Sequence, residues 1–231
     1  MITALFVMLV VGAMVLHYVF VEKPRQAEVA VIPSRPEPIT LAEAMEEPPG
    51  GFFFQPAFTW TRIRKNCEFF LGVHPLLLSL VGPETSLEYV ADEATLEKGD
   101  PLVRLRLDDR ELQLFSPLAG QVVEVNDQFL PQTGWAGATS RGGSWLYRIR
   151  PRNVERDIPA WMLGSAASRW AHQEYREVRD FLFETVSHEE VGLSAADGGE
   201  LPSGVLGQLD AGAWKSFQDR FIPDPEKPEA E

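Results

Sequence analysis

The clearest hydrophobic rhythm in the chain lies between Gly99 and Asn126, where Val103, Leu105 and Leu107 alternate with Leu102, Arg104 and Arg106. A period of two puts neighbouring side chains on opposite faces, so this run predicts a strand with one buried face. Asp108-Asp109 interrupts the alternation, Leu112 and Leu114 resume it, and Pro117 with Gly120 turns the chain into a further run ending at Val125. The stretch therefore reads as a β-hairpin, a tight turn and a third strand. The same period recurs in Phe58 to Arg64, and Glu68 to Val73 reads as its partner strand across a turn containing Asn66. Pro75 to Val81 then predicts a short buried helix entered at His74 and closed by Gly82.

Further on the spacing changes to three and four. Ala171, Tyr175, Val178, Leu182 and Val186 share one face of a helix predicted over Ser165 to Val186, with Ser165 as its N-cap. Val205, Leu206, Leu209, Trp214, Phe217, Phe221 and Ile222 make the following segment too apolar for a simple tail. It is expected to wrap onto the domain or onto a neighbour, whereas the closing PDPEKPEAE is expected to be disordered.

The amino terminus has no periodicity at all. Ile2 to Val21 carries no formal charge at neutral pH, and as a helix it would span roughly 30 Å, the thickness of a bilayer's hydrocarbon core. A cleaved signal peptide is the competing reading, but the basic leader is missing and the apolar run exceeds the usual h-region of about 7–15 residues. The expectation is a single-pass anchor, with His17 and Tyr18 at headgroup depth and His17 as the one candidate for a pigment contact. Lys23 and Arg25 follow at once, which places the remainder on the cytoplasmic side of an inner membrane by the positive-inside rule. Prolines at 24, 33, 36, 38, 48 and 49 make residues 22–51 a semi-rigid stalk, with a helical turn expected in Leu41 to Glu47. The expected division is thus anchor 1–21, stalk 22–51, folded domain 52–186 and extension 187–231.

Charge and composition narrow the function. A net charge of −13 excludes a general nucleic-acid binder, which needs a basic face against phosphates. One cysteine, Cys67, excludes an internal disulfide and is expected to pack beside Phe69 and Phe70. His74 has no Ser, Cys or second His at a spacing that would suggest a triad or metal site. The glycine-rich loop around Trp135 has neither a Walker lysine nor a strand-to-helix dinucleotide fingerprint.

The motifs KGDPLVRLR and SPLAGQVVEVN, flanked by Phe58-Thr59-Trp60, Gly143-Ser144-Trp145-Leu146 and Arg148-Ile149-Arg150-Pro151, occur in an order that resembles the lipoyl/biotinyl carrier fold. The resemblance is more specifically to the H-protein of the glycine cleavage system and covers roughly Phe54 to Leu182. It implies a mainly β domain, a flattened barrel or sandwich of two antiparallel sheets, closed by the carboxyl-terminal amphipathic helix. It also implies a modified lysine at the hairpin tip, and counting back from Pro117 that position falls at about Asp109, with Asp108 and Arg110 beside it. None of these side chains can form the amide that holds a lipoyl or biotinyl arm. No lysine stands between Lys98 and Lys215, so a shifted register offers no substitute.

From this follows the expectation of a non-catalytic protein without a cofactor: a docking subunit of a larger respiratory, photosynthetic or transport assembly, contacting membrane protein subunits and the bilayer. Its candidate partner contacts are His17, Tyr18, Trp135, Trp161, Trp170, Trp214, Phe217 and Phe221. The alternative is an accessory or carrier-type protein related to lipoyl-dependent glycine cleavage.

Overall fold

The computed structural model describes residues 41–90, 95–129, 135, 138–139, 143–158, 161–185 and 201–225. The expected anchor, with His17 and Tyr18, lies outside the described residues. Among the described residues no helix is long and apolar enough to cross a membrane.

The chain opens with a short helix, α1 (Leu41–Met45), and three strands, β1 (Phe52–Gln55), β2 (Thr59–Ile63) and β3 (Phe69–Val73). Helix α2 (Pro75–Val81) follows, then β4 (Ser86–Tyr89), β5 (Thr95–Leu96), β6 (Pro101–Leu107), β7 (Arg110–Phe115), β8 (Gly120–Val125) and β9 (Trp145–Pro151). Three helices complete the described chain: α3 (Val154–Asp157), α4 (Ser165–Thr185) and α5 (Ala211–Phe221). The strands form two antiparallel sheets, one ordered β1-β2-β3-β9-β8-β5 and one ordered β4-β6-β7. The mainly β domain of two antiparallel sheets implied by the resemblance is therefore present.

Leu71 and Val73 on one sheet and Leu105, Leu112 and Leu114 on the other belong to the same buried core, because the period of two sends each set inward. Leu102 is buried as well as Val103 because the register between β6 and β7 shifts between Pro101 and Val103. A hydrogen bond from the Tyr147 hydroxyl to the Leu102 carbonyl, 3.0 Å, ties the two sheets together. On its other face the larger sheet carries a second, aromatic core of Phe52, Phe54, Trp60, Phe70 and Trp145, over which Trp135 and Ala167 pack. Gly72 makes that layer possible: a Cβ there would stand 2.4 Å from the Trp60 indole, whose Nε1 donates to the Val73 carbonyl at 2.8 Å.

Two expectations about boundaries change. Helix α1 packs on α2 and α4, so the folded unit includes the carboxyl end of the expected stalk. Ser165 is the first helical residue of α4 and not its cap, since the Ser168 N–H already bonds the Gly164 carbonyl at 3.2 Å. Of the two destinations expected for residues 201–222, the structure shows the domain itself: Trp214, Phe217, Phe221 and Ile222 sit in the main core with Phe58 and Phe181.

Candidate functional site

The β6–β7 hairpin ends in a turn at Asp108-Asp109, with Leu107 opposite Arg110 in the register. Asp108 sits at φ 55, a left-handed conformation that Asp tolerates because its short side chain bonds locally. Both aspartates are exposed, and neither bears an amine. The turn carries two carboxylates and no amine, and these residues do not fit a covalently attached lipoyl or biotinyl group, whose amide needs a nucleophilic nitrogen.

Arg110, immediately after the turn, behaves unlike a surface arginine. Its Nη1 donates to the carbonyls of Gly207 (2.8 Å) and Leu209 (2.6 Å), and its Nη2 to the Asp108 carboxylate (3.0 Å). The guanidinium also lies 5.7 Å from the centre of the Trp214 ring. Gly207 belongs to the 3₁₀ turn Leu206–Gln208, Leu209 caps that turn and Trp214 belongs to α5, so the hairpin tip is pinned by the carboxyl-terminal segment. Next to it, an open cavity of about 430 Å³ is lined by Asp109, Arg110, Glu111, Trp214, Lys215 and Asp219, among others. Lys215 is the one amine the described fold brings to this rim, and it pairs with Asp219 one helical turn along.

The motif after the hairpin has a structural purpose in this geometry. Gly120 allows β8 to pass close to β9, since a Cβ would stand 2.6 Å from the Arg150 carbonyl oxygen. Asn126 is buried, and its Nδ2 donates to the carbonyls of Gly143 (2.9 Å) and Trp145 (2.7 Å), clamping the end of β8 to the start of β9. These residues therefore hold the sheet whether or not the tip carries anything.

His74 is the N-cap of α2: its Nδ1 accepts from the Leu76 N–H at 3.0 Å. It is fully buried against Phe54, Trp135 and Trp170, with ring centres 4.3, 5.6 and 5.4 Å away. Desolvation lowers its pKa from 6.5 to about 3, so it is neutral at physiological pH. Among the described residues no cluster of three or more His, Cys, Asp or Glu stands ready to hold a metal.

The proposed contact residues are not gathered on a surface. Trp135, Trp214, Phe217 and Phe221 are buried, because each completes an aromatic layer of the domain itself. Trp161 and Trp170 are half-buried, packed on Phe53 and Phe69 and on Phe58 respectively. None of the four buried aromatics offers a face to a partner in this fold. Cys67, expected to pack beside Phe69 and Phe70, is exposed and sits at φ 55 in the β2–β3 turn. What sequence reasoning missed was Arg110, whose acceptors lie 97 and 99 residues further along.

The glycine cleavage H-protein family model matches residues 53–171, just over half of the 231-residue chain. The chain belongs to the glycine cleavage H-protein family. A glycine cleavage system H protein from Stenotrophomonas maltophilia (strain R551-3) is 23% identical over 111 residues, covering 48% of this chain and 85% of that protein. A probable glycine cleavage system H protein from Pyrococcus furiosus is 19% identical over 120 residues, covering 52% and 89%. The crystal structure of a glycine cleavage system H protein from Mycobacterium marinum aligns with a TM-score of 0.41 and 21% identity, over 55% of this chain and 98% of that one. The H-protein-like region ends within α4, so α5 and its contacts with the hairpin lie outside the matched span.

Proposed function

We propose that this protein is a non-catalytic docking subunit, a membrane-anchored H-protein-like domain that works through the surface of its hairpin and not through a carried group. The observation that carries this reading is the pairing of an acidic tip, Asp108-Asp109, with Arg110 locked onto the Gly207 and Leu209 carbonyls. A carrier hairpin must deliver a swinging arm; this one offers fixed carboxylates and has its flank occupied by α5. The uncharged run Ile2 to Val21 supports attachment to a bilayer, with the domain on the cytoplasmic side. A larger membrane assembly is the partner this architecture suits.

A second reading, an accessory of lipoyl-dependent glycine cleavage, is favoured by the relatives, which are named as H proteins of that system. Intact-mass measurement of the protein purified from its own cells, followed by peptide mapping, separates the two. The docking reading expects the unmodified chain mass, and cross-links from the 108–111 tip to membrane protein subunits. A lipoyl adduct on Lys98 or Lys215 would overturn it in favour of the accessory reading.

A further inference from the structure

At the end of the larger sheet, the β2–β3 turn gathers cations in a chain that is otherwise acidic. Arg62, Arg64 and Lys65 line an open cavity of about 540 Å³ together with Asn66, Phe70 and Thr139. Among the described residues no carboxylate lines it, although the chain holds 34 Asp and Glu against 21 Lys and Arg. The nearest acid in the hairpin, Glu68, is already engaged by Arg148 (3.3 Å) and Arg150 (3.1 Å).

Two of these cations are held in place by rings. The Arg62 guanidinium lies 4.8 Å from the centre of Phe52, and that of Arg64 lies 4.8 Å from the centre of Phe70. Contact with the ring faces removes much of the conformational freedom that makes surface arginines weak binders, and leaves the guanidinium N–H groups available to acceptors. Arg62 uses one of them on the Thr139 hydroxyl at 2.7 Å, which fixes the fork further. Among the described residues neither Arg62, Arg64 nor Lys65 forms an ion pair.

We propose that this cavity is an anion site that takes a phosphate group, held by the Arg62 and Arg64 forks with the Lys65 ammonium closing over it. Phosphate suits the lining because its several acceptor oxygens match two planar forks and one point charge at once, with the Asn66 amide and Thr139 hydroxyl as neutral donors. A phosphate monoester in solution and the phosphate of an anionic lipid headgroup share this chemistry. The proposal is independent of the docking role assigned to the hairpin tip, which uses other residues.

The test uses the full chain in zwitterionic detergent micelles, titrated with inorganic phosphate, while amide hydrogen exchange of residues 62–68 is followed. A parallel arm compares the full chain in phosphatidylcholine nanodiscs with and without phosphatidylglycerol, by the same readout. Saturable protection by inorganic phosphate, with the apparent Kd raised about tenfold by Lys65→Gln, supports a soluble phosphate. Protection confined to phosphatidylglycerol nanodiscs, and reduced by the same substitution, supports a lipid headgroup. Arg64→Gln serves as a second variant, with exchange in β3 and β9 as the check that the sheet is intact. Absence of protection in both arms, or equal protection in wild type and both variants, would overturn the site.

Discussion

The side chain of Gln218 pairs with the backbone of Gln113 as a neighbouring strand would, its Oε1 accepting from the Gln113 N–H at 2.7 Å and its Nε2 donating to the Gln113 carbonyl at 3.0 Å. Strand β7 is the edge of the three-stranded sheet, and an unpaired edge invites a foreign strand. Helix α5 closes it from within the same chain. Replacing Gln218 with Ala leaves both backbone groups to water or to nothing, and is expected to cost about 1–2 kcal/mol in denaturant unfolding. Amide exchange should rise locally at residues 112–115. Unchanged exchange there would mean that the apolar contacts of Trp214 and Phe217 seal the edge unaided.

Arg110 should matter more than Gln218, because one charged nitrogen, Nη1, serves two carbonyls at once. Its side chain is only 14% exposed, so truncation strands the Gly207 and Leu209 carbonyls and is expected to cost about 2–4 kcal/mol. Arg110→Lys should recover less than half of the loss, since a single ammonium cannot also keep the Nε bond to the Leu107 carbonyl and the Nη2 bond to Asp108. Urea midpoints of the two variants measure this, and equal stability of Arg110→Lys and wild type would show that charge alone holds the extension.

Much of this arrangement was legible in advance, and the reasons differ by element. The β6–β7 hairpin showed itself because alternation in Val103, Leu105, Leu112 and Leu114 is a local signal that needs no partner to read. His74 was legible as a helix entry because Pro75 follows it. The destination of Trp214 and Phe217 was not, because apolar residues at helical spacing look the same whether they cover their own domain or another. Cys67 looked buried from its aromatic neighbours, yet it sits at a positive φ in the β2–β3 turn, where it is exposed. Arg110 was read only as one of three tip residues unable to hold an arm, and only the return of the chain after α4 brings it acceptors.

The same return depends on two glycines. Gly82 closes α2 at φ 85 and ψ 172, a region that essentially only glycine visits, and a Cβ there would stand 2.7 Å from the Gly204 Cα. Gly204 in turn donates its N–H to the Ser79 carbonyl at 2.8 Å. Gly82→Ala combines backbone strain with a collision against main chain, and is expected to cost about 3 kcal/mol. Gly50→Ala, where nothing lies within 4 Å of the new methyl group, is the matched control and should stay within about 0.5 kcal/mol of wild type. Thermal unfolding of the pair measures both.

Restoring an amine at the tip is a direct test of the docking role. In Asp109→Lys the new lysine would stand beside Asp108, in a turn held by the Arg110–Asp108 ion pair at 3.0 Å and flanked by α5. A lipoylating enzyme must seat the tip in its own site, and the neighbouring acids and the covering helix both oppose that approach. The single variant is therefore expected to keep its unmodified mass after incubation with a lipoate ligase, lipoate and ATP. Efficient modification would mean that the hairpin surface is still a carrier surface, lacking one side chain only.

His74 makes acid stability a test of the aromatic core. Its Nδ1 accepts from Leu76, so the neutral ring carries its proton on Nε2, which is buried between Phe54, Trp135 and Trp170 with no hydrogen-bond partner among the described residues. The unfolded chain binds a proton on this group below about pH 6.5, and the folded chain only near pH 3. Stability is therefore complete above 6.5 and falls by about 1.4 kcal/mol per pH unit between 6.5 and 3 on account of this residue. Glu174 acts in the opposite sense. Burial, and then the charge of Glu177, raise its pKa from 4.5 to about 7, so its contribution improves as pH falls through 7 and is complete below 4.5. It is half-exposed, and solvent weakens its share. The decisive quantity is thus a difference: His74→Asn keeps an N-cap acceptor but cannot titrate, so its stability curve should lack the acid slope while starting from a lower plateau. At pH 5 the gap between variant and wild type should have narrowed by about 2 kcal/mol relative to pH 7. Parallel curves from pH 7 to 5 would show that the folded protein admits a charged imidazolium, and that the aromatic box opens more readily than its packing implies.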